Sequence, residues 1–180
     1  MLTETKRLFL DRPRTEDADG LHQICSDPRV WRHFPSLRHA DLEQTQMMLD
    51  QFIAVWDRDG LGPWVVKNPS DQRIIGYGGC SAKQDMFWNL GYRFAFDTQG
   101  QGFATELARE AIMAAKLRRA ELPIVAYLLE HNAASARVAE KVGLTLSHRG
   151  IDAGNPDPAA IRLVYADREL TVEELAHIML

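Results

Sequence analysis

Gly91-Tyr92-Arg93-Phe94-Ala95-Phe96, followed closely by Gln99-Gly100-Gln101-Gly102-Phe103-Ala104-Thr105-Glu106 and an alanine-rich run, decides how this chain is read. The pattern predicts a strand, a glycine-opened loop and a helix. Gly100 and Gly102 let the loop turn tightly and bring the backbone close to a ligand. The first-turn N–H groups of a helix lack intrahelical acceptors and carry the positive end of the helix dipole, so they point at an anion. That geometry suits a pyrophosphate, although many strand-to-helix turns use glycine with no ligand.

A second motif about thirty residues on adds to the first. Glu130-His131-Asn132-Ala133-Ala134-Ser135-Ala136-Arg137-Val138-Ala139-Glu140-Lys141-Val142-Gly143-Leu144 has a helix-capping asparagine, an amphipathic run, and Gly143 where the helix should stop. Working outward, residues 6 to 12 read as a strand ended by Pro13. A helix capped by Thr15 runs to about Ser26. A second helix from Asp41 to about Trp56 carries Leu42, Leu49, Phe52, Ile53 and Trp56 on one face.

Strands near 62–67, 73–82 and 86–96 follow with short connections, which predicts antiparallel pairing. The helix from Gly102 to about Arg118 has a buried stripe of Ala104, Leu107, Ala108, Ala111, Ile112 and Ala115, small enough to lie close to a sheet. Leu122 to Leu129, between two helices, reads as a buried parallel strand. Leu144 to Ile151 and Ile161 to Arg168 bracket a turn-rich loop at 152–158, and Thr171 with Glu174 forms a capping box for a last short helix.

Composition narrows the class. At 180 residues with 46% hydrophobic and 26% charged residues, residues 1–180 read as one globular domain. No apolar run approaches the roughly 20 residues that span a bilayer, and the N-terminus lacks a signal-peptide core, so a cytoplasmic protein with no membrane partner is expected. A net charge of −4 argues against nucleic-acid binding. Lys116, Arg118 and Arg119 read as cations opposing the negative end of a helix dipole. Cys25 and Cys80 lack metal or redox spacing, and the six histidines are scattered, so no metal is expected.

The two motifs together resemble the GNAT superfamily of acyl-CoA-dependent N-acyltransferases. A finer similarity, to the branch of ribosomal-protein N-terminal acetyltransferases, rests on Glu4 to Leu10, Ser26 to Val30, Leu90-Gly91-Tyr92, and the Asn132-x-x-Ser135 to Glu140-Lys141 helix. The resemblance implies an α/β (α+β) fold: a mixed, mostly antiparallel twisted sheet of about seven strands flanked by helices, with a splayed strand pair forming the CoA cleft. It implies acetyl-CoA as co-substrate and direct transfer of acetyl to a primary amine, either a protein N-terminus or a small amine. A catalytically silent CoA-binding sensor and an acyltransferase using succinyl-CoA or another acyl-CoA are the alternatives, with Arg93 the residue that bears on the second. A monomer or homodimer is expected.

By the same resemblance, Phe94, Ala95 and Phe96 would meet the pantetheine. Gln99, Gly100, Gln101, Gly102, Phe103, Ala104 and Thr105 would meet the pyrophosphate, and Asn132 and Ser135 would reach the cofactor from the second motif. The branch's glutamate before the Leu-Gly-Tyr is Asn89 here, which can orient water but cannot act as a base. Glu130 is the substitute, or simply a solvated residue before a cap. The superfamily's tyrosine seven residues after the asparagine is Ala139 here, so Ser135 is the candidate to protonate the leaving thiolate; otherwise it makes a local backbone hydrogen bond. Trp31, His33, Phe34 and Asn89 are the substrate-side candidates, with core plugs the simpler reading of Trp31 and Phe34. A free α-amine near pKa 8 is about one-tenth neutral at pH 7, whereas a lysine is neutral only about one part in 2,500, so lysine makes the greater demand on a base.

Overall fold

The computed structural model describes residues 3–179. Strands β1 (Thr3–Glu4) and β2 (Phe9–Asp11) precede helices α1 (Ala18–Cys25) and α2 (Leu42–Asp59). Strands β3 (Trp64–Lys67), β4 (Ile74–Lys83) and β5 (Phe87–Phe94) lead into α3 (Phe103–Arg118). Then come β6 (Ile124–Leu129), α4 (Ala133–Lys141), β7 (Thr145–Ile151), β8 (Ile161–Ala166) and α5 (Val172–Met179). One sheet runs in the order β1-β2-β3-β4-β5-β6-β8-β7. Every pairing is antiparallel except β5 with β6.

The sheet has eight strands among the described residues, in line with the mixed, mostly antiparallel sheet of about seven that was expected. The strand expected over 6–12 is split, because Thr5 folds onto Leu8: its N–H donates to the Leu8 carbonyl at 3.0 Å and its Oγ1 accepts from the Leu8 N–H at 3.1 Å. This local turn reverses the chain and lets Thr3–Glu4 pair with Phe9–Leu10. Thr15 does not cap the first helix. It opens a 3-10 turn, Thr15–Asp17, and Asp17 supplies the local bond by accepting from the Arg14 N–H at 2.9 Å. Asp41 does cap α2, accepting from Gln44 N–H at 3.0 Å. Thr171 and Glu174 make the reciprocal bonds of a capping box.

Helices cover both faces. On one, Leu21 of α1, Leu49 of α2 and the buried Trp31 of the connection between them pack with Val65 and Tyr77. On the other, Leu107, Ala108, Ala111 and Ala115 of α3, all fully buried, lie over Val66, Cys80 and Leu90. The alanines allow that close approach, and each wholly buried side chain the size of Leu107 or Ile124 contributes about 1.5–3 kcal/mol. Helix α5 closes a third cluster with Phe87, Val125, Val164 and Ile178. Cys25 and Cys80 are buried free thiols.

The connection between α1 and α2 is fastened from inside. Nδ1 of His22 and Nδ1 of His39 each lie 2.8 Å from the buried Thr45 hydroxyl. The hydroxyl has one proton and two lone pairs, so it can bond both imidazoles at once, accepting from both or accepting from one while donating to the other. Trp31 stacks on His39 with ring centroids 6.2 Å apart. The segment 26–40 is thereby held against the sheet, beside the place where its strands part.

Candidate active site

Strands β5 and β6 pair at only two positions, Trp88 with Ile124 and Asn89 with Val125. Beyond these, Leu90–Phe94 stays with β4 while Ala126–Leu129 stays with β8. The strands diverge, and their facing edges lose each other's backbone partners. Unpaired N–H and C=O groups on two such edges match an amide-bearing ligand laid between them as a short extra strand would be.

A cleft of about 720 Å³ fills the divergence, within the range of small-molecule sites. Side-chain alternation divides its wall. Leu90, Tyr92, Phe94 and Leu128 belong to the α3/α4 side. Arg93 reaches the opposite side, where its guanidinium lies 3.6 Å from the Trp31 ring centroid; Asn89 and Gly91 share its parity on β5. A Cβ on Gly91 would meet no protein atom within 4 Å, so the space there opens directly into the cleft.

At the end of β5 the chain forms the glycine loop. Gly100 and Gly102 have φ of +78° and +82°, left-handed values that favour glycine, and Gly102 caps α3. Glu106 N–H closes the first helical bond, to Gly102. The preceding first-turn amides of Phe103, Ala104 and Thr105 stand at the cleft with the helix's positive end. The loop is braced locally by Gln99 Nε2 donating to the Phe94 carbonyl at 3.1 Å and Gln101 Nε2 to the Asp97 carbonyl at 3.2 Å.

The N-terminus clamps this loop from outside. Glu106 accepts from Thr5 Oγ1 at 2.7 Å, Arg7 N–H at 2.8 Å and Arg7 Nε at 2.7 Å. Arg7 Nη1 donates to the Gln101 carbonyl at 2.8 Å, and its guanidinium lies over Phe103. Burial acts to raise the Glu106 pKa, but the hydrogen bonds from Thr5 and Arg7 outweigh it and hold the carboxyl below its ordinary value.

Helix α4 forms the other flank. Asn132 Oδ1 accepts from the Ser135 N–H at 3.2 Å, fixing the first turn, and both residues line the cleft. Opposite Ser135 stands Tyr92, whose phenol burial pushes up to about 12 while hydrogen bonding with Ser135 acts the other way. Tyr92 is thus a neutral hydroxyl throughout the working pH range. Sequence reading gave it no role, although its alternation with Leu90 and Phe94 was a signal that it faces α3 and α4.

On the α1/α2 side His33 and Phe34 line the cleft, as does Asn89. His33 faces His131 with ring centroids 5.5 Å apart, and its carbonyl lies 3.1 Å from His131 Nε2. Partial desolvation, then the charges of His131, Arg32 and Arg93, hold the His33 pKa below its ordinary value. The imidazole is neutral at pH 7.

Of the residues singled out in the sequence, Phe94, Gln99, Gly100, Gly102, Phe103, Ala104, Thr105, Asn132, Ser135, His33, Phe34 and Asn89 meet at this cleft. Ala95, Phe96, Gln101, Trp31 and Glu130 stand outside its wall. Ala95 and Phe96 turn toward the α1/α2 core, and Trp31 is a buried plug under Arg93. Glu130 is exposed and held by Arg149 at 2.6 Å, which lowers its pKa and makes it a weaker base. The single carboxylate of the wall, among the described residues, is Asp152, which has Oδ1 bound to Arg162 and Oδ2 to Asn155 Nδ2. No group of three or more metal-ligating side chains occurs among the described residues, and no helix is long and apolar enough to cross a membrane.

A mixed sheet that splays at its one parallel pair, with an amide loop at the end of the splayed strand, defines the class as that of the acetyltransferases. The profile of the acetyltransferase (GNAT) domain matches residues 7–145, and the chain belongs to that family. Solved structures share the fold. An acetyltransferase from Agrobacterium tumefaciens is 26% identical with a TM-score of 0.74, over 94% of this chain and 95% of that one. The acetyltransferase from Salmonella typhimurium that modifies the N-terminal serine of ribosomal protein L7/L12 is 20% identical, with a TM-score of 0.74 over 93% and 97%. RimL, a ribosomal L7/L12 α-N-protein acetyltransferase solved with coenzyme A, is 21% identical, with a TM-score of 0.76 over 94% and 98%.

Proposed function

We propose that the protein is an acetyl-CoA-dependent N-acetyltransferase that acetylates a primary amine directly, the acceptor being a protein N-terminus or a small amine with a comparably low pKa. The observation that carries this reading is the cleft's two-sided construction: an anion-directed loop and two unpaired strand edges on the α3/α4 side, and a base-bearing chamber on the other. Bound acetyl-CoA supplies the activated acyl thioester. First-turn amides of α3 hold its phosphates, and the edges of Leu90–Phe94 and Ala126–Leu129 bind its amides.

Ser135, backed by Tyr92, donates a hydrogen bond or proton at the sulphur. His33 accepts the proton that the amine loses. Asp152 is poorly suited to that task because both its oxygens are engaged. A weak imidazole base is enough for an α-amine near pKa 8, and much less effective for lysine.

A thermal-shift titration with acetyl-CoA, CoA and succinyl-CoA, joined to a thiol-release assay over pooled peptide and small-amine acceptors, tests the reading. Saturable stabilisation by acetyl-CoA with acceptor-dependent thiol release is expected. Stabilisation without release from any acceptor would favour a silent CoA-binding module, and faster release from succinyl-CoA would change the donor. No shift with any CoA at saturation would remove the cofactor assignment.

A further inference from the structure

The two sides of the cleft differ in the charge they can still take up. On the α1/α2 side the wall carries Arg29, Arg32, His33, Arg93 and Arg162, while Asp152 is the single carboxylate of the wall among the described residues. Asp152 neutralises Arg162, which also donates to the Ile178 carbonyl and lies over the Tyr127 ring. Asp27 neutralises Arg29 through bonds to both carboxylate oxygens. Arg32 and Arg93 have no carboxylate within 4.0 Å among the described residues.

Arg93 is the stronger case. It is half-buried and stacked on Trp31, and the acceptors beside it are neutral: the Val30 carbonyl, 3.4 Å from its Nη1, and the Tyr77 hydroxyl. A guanidinium taken partly out of water without a counter-charge is costly, and an incoming anion removes that cost. Arg32 sits near by on the same side, its guanidinium over Phe96 and its Nε on the Arg29 carbonyl. The phosphates of a CoA do not need these two groups, because the loop amides, Arg137 and Lys141 line the α3/α4 side. An acceptor with additional ammonium groups would find no free carboxylate in the wall.

We propose that the acceptor is an anionic amine, a primary amine with one or more carboxylates within its first few residues or bonds, and that Arg32 and Arg93 receive those carboxylates. The inference rests on the transferase reading above and narrows its substrate class. It makes polyamines and lysine-rich N-termini poor substrates.

The experiment compares thiol release from acetyl-CoA with tetrapeptides that share a serine N-terminus and carry Asp, Ala or Lys at the next two positions. Free aspartate and glutamate, their side-chain amides, and spermidine form a second arm. The expected order of kcat/KM is Asp over Ala over Lys, with about tenfold between the extremes at low salt and most of it lost by about 0.5 M salt. Preference for the acidic peptides over the free amino acids identifies a peptide N-terminus as the source of the chemistry; the reverse identifies a small metabolite. In Arg32→Glu, an exposed substitution, the peptide order should invert through the acceptor KM, with the acetyl-CoA KM unchanged.

Transfer to Asp, Ala and Lys peptides at equal rates overturns this inference and leaves the transferase reading standing. So does a change confined to the acetyl-CoA KM in Arg32→Glu, which would assign the cation to the cofactor. Absence of thiol release with every acceptor removes both.

Discussion

Ser135 and Tyr92 sit on different elements, and neither is a strong acid alone. A thiolate leaving group has a pKa near 8.5, so it needs less protonation than an alkoxide would, and the expected contribution lies at the low end of general-acid effects. Ser135→Ala should lower kcat about 10- to 100-fold with little change in acetyl-CoA affinity. Tyr92→Phe should do similar damage, and the double variant should fall by less than the product of the two single effects, because the two residues face each other in the cleft and serve the same sulphur. Full additivity in a double-mutant cycle would separate them. Gly91 offers a second test at this scale. Its missing Cβ opens onto the cleft and not onto protein, so Gly91→Val should raise the acceptor KM by about tenfold or more while the thermal midpoint moves by only a few degrees.

The loop that faces the phosphates belongs to α3, but its position depends on a segment nearly a hundred residues earlier. Thr5 and Arg7 converge on Glu106, and Arg7 continues to the Gln101 carbonyl. Glu106→Ala removes three hydrogen bonds to a mostly shielded carboxylate, and a loss of about 1–2 kcal/mol in urea unfolding is expected after allowing for the half-exposed Arg7. Because the folded-state pKa of Glu106 is depressed, its stabilisation is fully present above the unfolded-state value near 4.3 and disappears as pH falls through the lower folded value. Wild type should therefore lose stability in acid more steeply than Glu106→Gln. Equal acid slopes would show that Glu106 does not carry this linkage. Acetyl-CoA affinity should weaken alongside stability in Glu106→Ala.

At the scale of the whole molecule, the cleft is assembled from both faces of the sheet. The connection 26–40, held by Thr45 between two histidines, brings His33 to a site whose loop lies on the far side. His33 has a pKa below its ordinary value, and only its neutral form can take a proton. The rate should therefore have an acid limb below the ordinary imidazole range and rise with pH toward the α-amine pKa near 8. His33→Gln should lower kcat/KM about 100-fold and remove the acid limb, leaving the amine's own ionisation. Retention of the wild-type acid limb in His33→Gln would assign the base elsewhere.

Much of this architecture was legible in the chain. The glycine loop, the helix stripes and the Asn132 cap are local matters of periodicity, positive φ and capping, so residue order alone determines them; the strand expected over Leu122 to Leu129 is Ile124–Leu129, parallel to β5 at two positions and otherwise antiparallel to β8. Thr5 and Thr15 show the limit even there, because a side-chain bond over three residues redirected the first strand and Asp17, not Thr15, anchored the first turn. What only the tertiary structure decided was convergence. Asn89 and Ser135, 46 positions apart, share a cleft because β5 and β6 pair twice and then part, whereas Glu130, beside the same motif, points outward to Arg149. Tyr92 came to face Ser135, and Arg93 was left with neutral neighbours, for the same reason. Which side chains meet, and which charges remain unmatched, depends on the packing of helices on both faces of the sheet, which no local sequence window contains.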